Sequence, residues 1–196
     1  MSVIDTLIER LQVLPGVGPK TAQRMALYLL QSQRQAGSDL GATLQQAMEL
    51  VRECAKCRNF TEQDACKICR DGNRQADVMC VVESPADILA FEQAGGFKGY
   101  YFVLHGRLSP LDGLGPEQLK LELLYARVAE LEPSEVILAT NPTVEGEATA
   151  HYIARALEAS VSQITRIAHG VPLGGEIEYT DGGTLAHALQ GRRSIS

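Results

Sequence analysis

Four of the five cysteines form two Cys-x-x-Cys pairs, Cys54 with Cys57 and Cys66 with Cys69. Four thiolates bind Zn²⁺ tetrahedrally when each pair holds the metal from a tight turn. This spacing favours zinc over two disulfides or four ordinary buried thiols. The unit spans about 16 residues, too few to bury a core, so we expect metal binding to supply its folding energy. We therefore predict a structural zinc module over residues 54–75, with no coordination position open for catalysis.

A glycine turn, Leu14-Pro-Gly-Val-Gly-Pro-Lys20, is the second group of residues that could carry a chemical function. Glycine allows a turn that most residues cannot adopt, and Pro19 suits the first turn of a following helix. The N–H groups of such a turn and helix N-terminus can bind a DNA phosphate, and Lys20 and Arg24 share one helical face. This is the layout of a helix-hairpin-helix motif. We predict sequence-independent DNA contacts by five residues: Gly16, Gly18, Lys20, Thr21 and Arg24.

Two alternatives to DNA contact compete for this turn. A nucleotide-binding P-loop fails, because Pro19 occupies the place of the glycine that must precede the lysine, and no strand comes before the turn. A helical hairpin that serves only for packing stays open. Two glycines followed by a lysine are, however, more specialised than packing requires.

Acidic residues follow two apolar runs in the second half of the chain. Glu83 follows residues 78–82, and Asn141-Pro-Thr-Val-Glu-Gly-Glu147 follows residues 135–139. Ligand-binding residues of parallel sheets lie at such strand ends. The two segments resemble the Toprim domain of topoisomerases and primases. In that domain a glutamate ends one strand, an Asp-x-Asp run before Glu-Gly-Glu ends another, and together they bind magnesium.

The chain departs from the Toprim pattern at both aspartate positions, which are Asn141 and Thr143. Both side chains are neutral, whereas Mg²⁺ is bound through carboxylates. We therefore expect this cluster to bind magnesium weakly or not at all, and to lack catalytic activity. Its members are Glu83, Asn141, Thr143, Glu145 and Glu147.

Helices must position the glycine turn and the paired cysteines. Apolar residues recur at helical spacing on both sides of the glycine turn, which predicts one helix before it and one after it. The polar segment Gln31–Leu40 contains Gly37 and predicts a loop. Leu40–Glu53 predicts a third helix that leads directly into the first cysteine pair. We expect a helix-hairpin-helix domain over residues 1–53.

Residues 76–170 show a different pattern, predicting a Toprim domain. Apolar runs alternate with helical patterns, as is typical of a mainly parallel sheet covered on both faces. The predicted strands are residues 78–82, 100–104, 135–139 and 164–168, and the predicted helices are residues 85–94, 116–131 and 145–159. A tail over residues 171–196 follows, with a short helix over residues 184–189. The predicted fold class is a multidomain α+β protein that contains an α/β domain.

Charge is distributed unevenly along the chain. Residues 1–75 carry ten Lys or Arg against eight Asp or Glu, whereas residues 76–196 carry eight against sixteen. We therefore expect any phosphate-binding surface in the N-terminal half. No apolar run approaches the roughly 20 residues of a membrane span, and the amphipathic, acidic N-terminus does not resemble a signal peptide. With reduced, metal-binding cysteines, these features predict a cytoplasmic protein without membrane contact.

The order of the parts, together with the tail Gly170-Val-Pro-Leu-Gly-Gly-Glu-Ile-Glu-Tyr-Thr-Asp181, resembles the RecR family of recombination mediators over nearly the whole chain. The resemblance implies a non-enzymatic DNA-repair protein that acts with RecO and RecF to load RecA onto single-stranded DNA. It also implies dimers and tetrameric rings, in which the tail helps to join subunits. The expected partners are DNA, RecO, RecF and further copies of the chain, and the expected cofactor is structural zinc.

Two other functions stay open at the level of sequence. A Toprim enzyme would nick or cleave DNA with magnesium, and Asn141 and Thr143 argue against it. A purely structural adaptor would use the helical hairpin only for packing and would leave DNA to its partners.

Overall fold

The computed structural model describes residues 1–168 and 170–192, and it divides into two compact units, residues 1–51 and 52–196. Residues 193–196 of the predicted tail lie outside the described residues. None of the helices described is both long and apolar enough to cross a membrane.

The N-terminal unit consists of three helices, α1 (Val3–Leu11), α2 (Pro19–Ser32) and α3 (Arg34–Leu50). The first two confirm the helices predicted on either side of the glycine turn. In that turn Gly16 has a φ of 78°, which favours glycine. Gly18 has a φ of −84°, which any residue can adopt. The turn therefore requires glycine at one of its two glycine positions.

The loop predicted over residues 31–40 is wrong, because helix occupies nearly all of it. α2 continues to Ser32, and α3 begins at Arg34 after the single residue Gln33. The Gln, Arg and Ala residues of the segment tolerate helix well, so its polarity reflected exposure to solvent rather than a break in the helix. Gly37 faces α2, where an added Cβ would contact Leu29 Cβ at 3.6 Å.

The third helix begins and ends earlier than the predicted range, Leu40–Glu53. It ends at Leu50, because Arg52–Glu53 (β1) pairs in antiparallel fashion with Phe60–Thr61 (β2). The connection between these strands carries the first cysteine pair. A short helix, α4 (Lys67–Arg70), carries the last cysteine of the second pair.

The larger unit is built around a four-stranded, all-parallel sheet with the strand order β4-β3-β5-β6. Each predicted strand is present, and helices α5, α6 and α7 connect successive strands. The strands are Gln75–Val82 (β3), Gly99–Val103 (β4), Glu135–Ala139 (β5) and Gln163–Arg166 (β6), and the helices are Pro85–Ala94 (α5), Leu121–Leu131 (α6) and Val144–Leu157 (α7). α6 begins later than predicted, because Lys120 adopts a left-handed φ of 54° just before it.

Both faces of the sheet are covered. Successive residues of a strand point to opposite faces, so each strand contributes side chains to two cores. One face packs against α6 and α7 through a core that includes Met79, Val81, Phe102, Leu124, Leu138 and Ile153. The other face packs against α5 and the four paired cysteines through Cys80, Val82, Ile88, Tyr101 and Val103. The cysteine segment thus shares a core with the sheet, which its own length could not supply.

The tail follows β6 and ends in helix α8 (Gly182–Gln190), which confirms and extends the predicted final helix. Asp181 caps α8 by accepting the Thr184 N–H at 3.0 Å. In the tail as far as residue 192, four large apolar side chains are exposed: Leu173, Ile177, Tyr179 and Leu189.

Candidate functional site

The four paired cysteines form a candidate metal centre. Their Sγ atoms are buried and all lie within 4.8 Å of one another. Cys57 Sγ and Cys66 Sγ are 3.6 Å apart. Sulfur ligands of a tetrahedral zinc are separated by about 3.8 Å when each Zn–S bond is about 2.3 Å. The Cys66 N–H donates to Cys54 Sγ at 3.2 Å and so favours its thiolate form. The cluster fits structural zinc, since four sulfur ligands leave no position for substrate.

Among residues 1–168 and 170–192, these cysteines are the only group of three or more His, Cys, Asp or Glu side chains placed to hold a metal ion. The fifth cysteine, Cys80, belongs to the buried sheet, and burial raises the pKa of its thiol to about 12. Cys80 is therefore protonated at neutral pH and is unsuited to act as a nucleophile.

Arg58 joins the zinc module to the sheet. Its side chain is buried, and Nη1 donates to the carbonyl oxygens of Leu104 and Leu119 at 3.1 and 2.8 Å. Nε donates to Glu53 Oε2 at 3.0 Å, which balances the buried charge. A backbone bond from the Val103 N–H to the Cys57 carbonyl, 2.9 Å long, lies beside these contacts.

Nothing in the sequence marked Arg58 as such an anchor, because it differs little from its exposed neighbour Lys56 by type or spacing. The left-handed φ of Arg58, 63°, is the tertiary feature that sets it apart. Non-glycine residues adopt this conformation rarely, and the surrounding structure must hold them in it.

Glu83 and Asn141 meet at the carboxyl ends of β3 and β5, the two central strands of the sheet. Glu83 is only 5% exposed. Its Oε1 accepts the Asn141 backbone N–H at 2.9 Å, and its Oε2 accepts Asn141 Nδ2 at 2.8 Å. Arg107 Nη1 lies 3.7 Å from the same Oε2. Amide donors and one guanidinium therefore balance the buried carboxylate.

A second carboxylate of the Toprim pattern, Glu147, is paired with Arg166 of β6. Arg166 Nη2 forms an ion pair with Glu147 Oε1, and Nε donates to Oε2 at 3.3 Å. Arg166 Nη1 also donates to the carbonyl oxygens of Leu138 and Thr140, at 2.9 Å each. This arginine therefore brings a positive charge to the strand ends. The sequence placed it in the fourth predicted strand and did not indicate this role.

The remaining residues of the Toprim-like cluster shape the start of α7. Thr143 caps the helix by accepting the Gly146 N–H at 3.1 Å. A Cβ at Gly146 would lie 2.1 Å from the Asn141 carbonyl oxygen, so only glycine fits there. Glu145 is half-buried, and its carbonyl accepts Thr149 Oγ1 at 2.6 Å. The residues at the two aspartate positions thus make hydrogen bonds within the protein.

One face of α2 carries the predicted DNA-contacting side chains. Lys20 and Arg24 are exposed and Thr21 is half-buried, whereas Ala22 and Ala26 are fully buried on another face. The helix contains no acidic residue in its sequence and begins without a side-chain cap. Its exposed face lines a shallow groove of about 510 Å³, formed by Lys20, Gln23, Arg24, Leu27, Tyr28 and Gln31. Exposed cations beside uncapped N–H groups are an arrangement that can bind phosphate.

Models of known protein families match the four parts of the chain in the order in which they occur. The RecR helix-hairpin-helix model matches residues 4–48, and the RecR model of a four-cysteine zinc finger domain matches residues 51–71. The Toprim domain model matches residues 77–168, and the RecR C-terminal model matches residues 170–193. The zinc finger match and the four converging thiols together confirm the predicted structural zinc.

Two relatives are similar over nearly their whole length. The chain is 54% identical over 193 residues to Recombination protein RecR of Saccharophagus degradans, covering 98% of each chain. It is 59% identical over 194 residues to Recombination protein RecR of Stutzerimonas stutzeri, covering 99% of this chain and 97% of that protein. The chain therefore belongs to the RecR family of recombination proteins.

Proposed function

We propose that this protein is a cytoplasmic DNA-binding clamp and mediator of recombinational DNA repair, without catalytic activity of its own. In this role it acts with RecO and RecF to help load RecA onto single-stranded DNA. Zinc serves only to hold the module that covers one face of the sheet.

The observation that carries DNA binding is the exposed face of α2. Lys20 and Arg24 lie four residues apart, so they project from the same side of the helix. Gly18 precedes them, and a Cβ added there would meet nothing within 4 Å. Internal packing therefore does not explain this glycine, whereas close approach of a phosphate to the turn would. Contacts of this kind hold the backbone of DNA without reading its sequence.

The strand ends of the sheet support the absence of catalysis. Magnesium is bound through carboxylate oxygens that must face the ion. Here Glu83 accepts two hydrogen bonds from Asn141, and Glu147 is paired with Arg166. Releasing either carboxylate for a metal ion would break these contacts. We infer that any magnesium binding at this cluster is weak.

Exposed apolar side chains support assembly into dimers or rings. The described part of the tail exposes four large apolar side chains, and the N-terminal unit exposes others, including Val3, Leu44 and Met48. Groups of exposed apolar residues mark contact surfaces with other proteins. The net charge of residues 76–196 is −8, which suits a basic partner such as RecO.

One gel experiment tests this function directly. Zinc-loaded protein is titrated onto a supercoiled plasmid in the presence of magnesium. We expect a retarded plasmid that remains covalently intact. Nicked or linear product that disappears with Glu83→Gln would establish a Toprim enzyme instead. Intact plasmid without retardation would leave a structural adaptor.

A charge-reversal pair locates the DNA surface. Lys20→Glu with Arg24→Glu should abolish retardation, because it replaces two phosphate-binding cations by two repelling charges. The matched control is Arg10→Glu with Arg34→Glu, which makes the same charge change at exposed positions of the same unit. Zinc content and oligomer mass should be unchanged in both. Equal losses in the two variants would show a general charge effect and place the site elsewhere.

A further inference from the structure

The exposed face of α2 carries an aromatic ring in line with its two cations. Tyr28 follows Arg24 by four residues, as Arg24 follows Lys20, so the three side chains form one row along the helix. At about 1.5 Å of rise per residue, the row extends about 12 Å from Lys20 to Tyr28. The Tyr28 residue is 57% exposed and lines the same groove as both cations.

Within the described part of the chain, Tyr28 is not engaged by another aromatic residue. The ring and cation–π contacts found there involve Phe60, Phe91, Phe97, Tyr100 and Tyr101 as their aromatic members, together with His105 and Arg127. A single exposed aromatic residue is common on protein surfaces. The surroundings of Tyr28 are less common, because the groove offers two cations and two side-chain amides and no carboxylate.

This combination distinguishes between the two forms of DNA. A duplex presents its phosphates and the edges of its bases, while the faces of the bases are stacked inside. A single strand also presents base faces, and these stack on aromatic side chains beside a positively charged groove. Cations alone would serve either form, whereas stacking on an exposed ring requires a base face, which the single strand presents.

We propose that the α2 face binds single-stranded DNA, with Lys20 and Arg24 on phosphates and a base stacked on Tyr28. The inference rests on the proposed DNA-binding function and adds a preference for the single strand over a duplex, which the same two cations hold through phosphates alone. Gln23 and Gln31 border the same groove and can form hydrogen bonds with the edges of the stacked base.

The test compares Tyr28→Ala and Tyr28→Phe with the unmodified, zinc-loaded full chain. Three labelled ligands of about 20 nucleotides are used, long enough for one binding site: a dT strand, an abasic strand and a duplex. Tyr28→Ala should weaken binding of the dT strand by about ten-fold, while Tyr28→Phe retains the affinity because its ring still stacks. Duplex affinity should stay unchanged in both variants. The abasic strand should bind the unmodified chain about as weakly as the dT strand binds Tyr28→Ala.

Salt dependence separates stacking from charge. For a single strand, each phosphate that the protein no longer neutralises should reduce the slope of log K against log salt by about 0.7. Tyr28→Ala should leave that slope unchanged, and Lys20→Glu with Arg24→Glu should reduce it. Tyr152→Ala, at an exposed tyrosine of the other unit, is the matched control and should leave binding unaltered.

Several results would overturn the inference. If Tyr28→Ala weakens binding of the single strand and the duplex equally, the substitution has damaged the whole binding surface. If Tyr28→Ala leaves binding of the dT strand unchanged, no base stacks on Tyr28. A changed oligomer mass of Tyr28→Ala by light scattering would assign the ring to contact between subunits. If the double charge reversal weakens DNA binding and Tyr28→Ala does not, only the inference fails. If the double reversal has no effect, the proposed DNA surface fails as well.

Discussion

The side-chain amide of Asn141 donates to the carboxylate of Glu83 across the ends of two neighbouring strands, with 2.8 Å between Nδ2 and Oε2. The Toprim pattern has an aspartate at this position, which would face Glu83 as a second negative charge and require a cation between them. An amide instead supplies a donor. The carboxylate of Glu83 is thereby stabilised by a hydrogen bond within the protein.

Replacing Asn141 by aspartate should reverse this arrangement. We expect Asn141→Asp to destabilise the metal-free protein by about 1–3 kcal/mol, because a buried carboxylate loses a donor and gains a like charge. Magnesium should then raise the melting temperature of the variant but not that of the unmodified chain. Calorimetry with and without magnesium measures both effects.

Asn73 provides the matched control for that substitution. It also donates to a carboxylate, Asp71, at 3.1 Å, but at an exposed position. Asn73→Asp should therefore cost under about 1 kcal/mol, because water screens the repulsion. An equal cost at both sites would contradict the role assigned to Asn141 beside the buried Glu83.

Loss of zinc should destabilise the sheet as well as the cysteine module. The four thiols share a core with Val82, Ile88 and Val103, so chelation should expose that face. We expect a loss of several kcal/mol, since binding of a structural zinc is coupled to folding. Hydrogen exchange should show faster exchange in β3 and β4 after chelation. Protection that is lost only in residues 52–71 would show that the module unfolds independently.

A substitution at Cys80 tests whether zinc binding depends on the four paired cysteines or on any buried thiol. Cys80→Ala should retain the full zinc content, whereas Cys57→Ala should lose it. Both remove a buried sulfur from the same side of the sheet. Zinc analysis of the two purified variants gives the comparison.

Removing the Arg58 side chain should loosen the module without removing its metal. Arg58→Met leaves the Leu104 and Leu119 carbonyl oxygens without their donor, which should cost about 2–4 kcal/mol. Arg52→Met is the control. Its ion pair with Asp64 is exposed and should be worth under about 1 kcal/mol. Denaturant unfolding of zinc-loaded proteins tests the difference, and similar costs for the two would refute the anchoring role.

The ion pair between Arg74 and Glu92 should make stability depend on pH. The Arg74 hydrogen bonds lower the pKa of Glu92 below its ordinary value. A carboxyl with a lowered pKa in the folded state stabilises the protein above its unfolded pKa, near 4.3, and this stabilisation disappears as pH falls through the folded pKa. Glu92→Gln should therefore cost about 1–2 kcal/mol at neutral pH, as expected for a hydrogen bond to a charged group. The cost should shrink in acid.

Glu117→Gln removes a carboxylate from an exposed position in the same unit and serves as the control. Urea unfolding of both variants between pH 3 and pH 7 distinguishes them. A cost of Glu92→Gln that does not change with pH would mean that packing rather than charge is lost.

Much of the fold followed from local patterns. The paired cysteine spacing indicated the zinc centre, and the alternation of apolar runs with helical patterns indicated the parallel sheet. Both signals are carried by neighbouring residues, because knuckle turns and strand or helix periodicity depend on spacing along the chain. The loop predicted over residues 31–40 was wrong for the same reason. Exposed helix and exposed loop have similar composition, and packing of Gly37 against Leu29 is not visible in it.

By itself, then, the sequence determined the alternating strands and helices of the sheet domain, the zinc ligand set and the two missing aspartates of the Toprim pattern, since each depends on residue type and local spacing. Only the tertiary structure decided which side chains pair with the carboxylates of Glu83 and Glu147. Asn141 reaches Glu83 because β3 and β5 are adjacent, and Arg166 reaches Glu147 because β6 lies beside β5. Arg58 likewise became an anchor only where β4 brought Leu104 to it. Contacts between residues distant along the chain depend on strand order and register, and these are set by packing of the whole sheet.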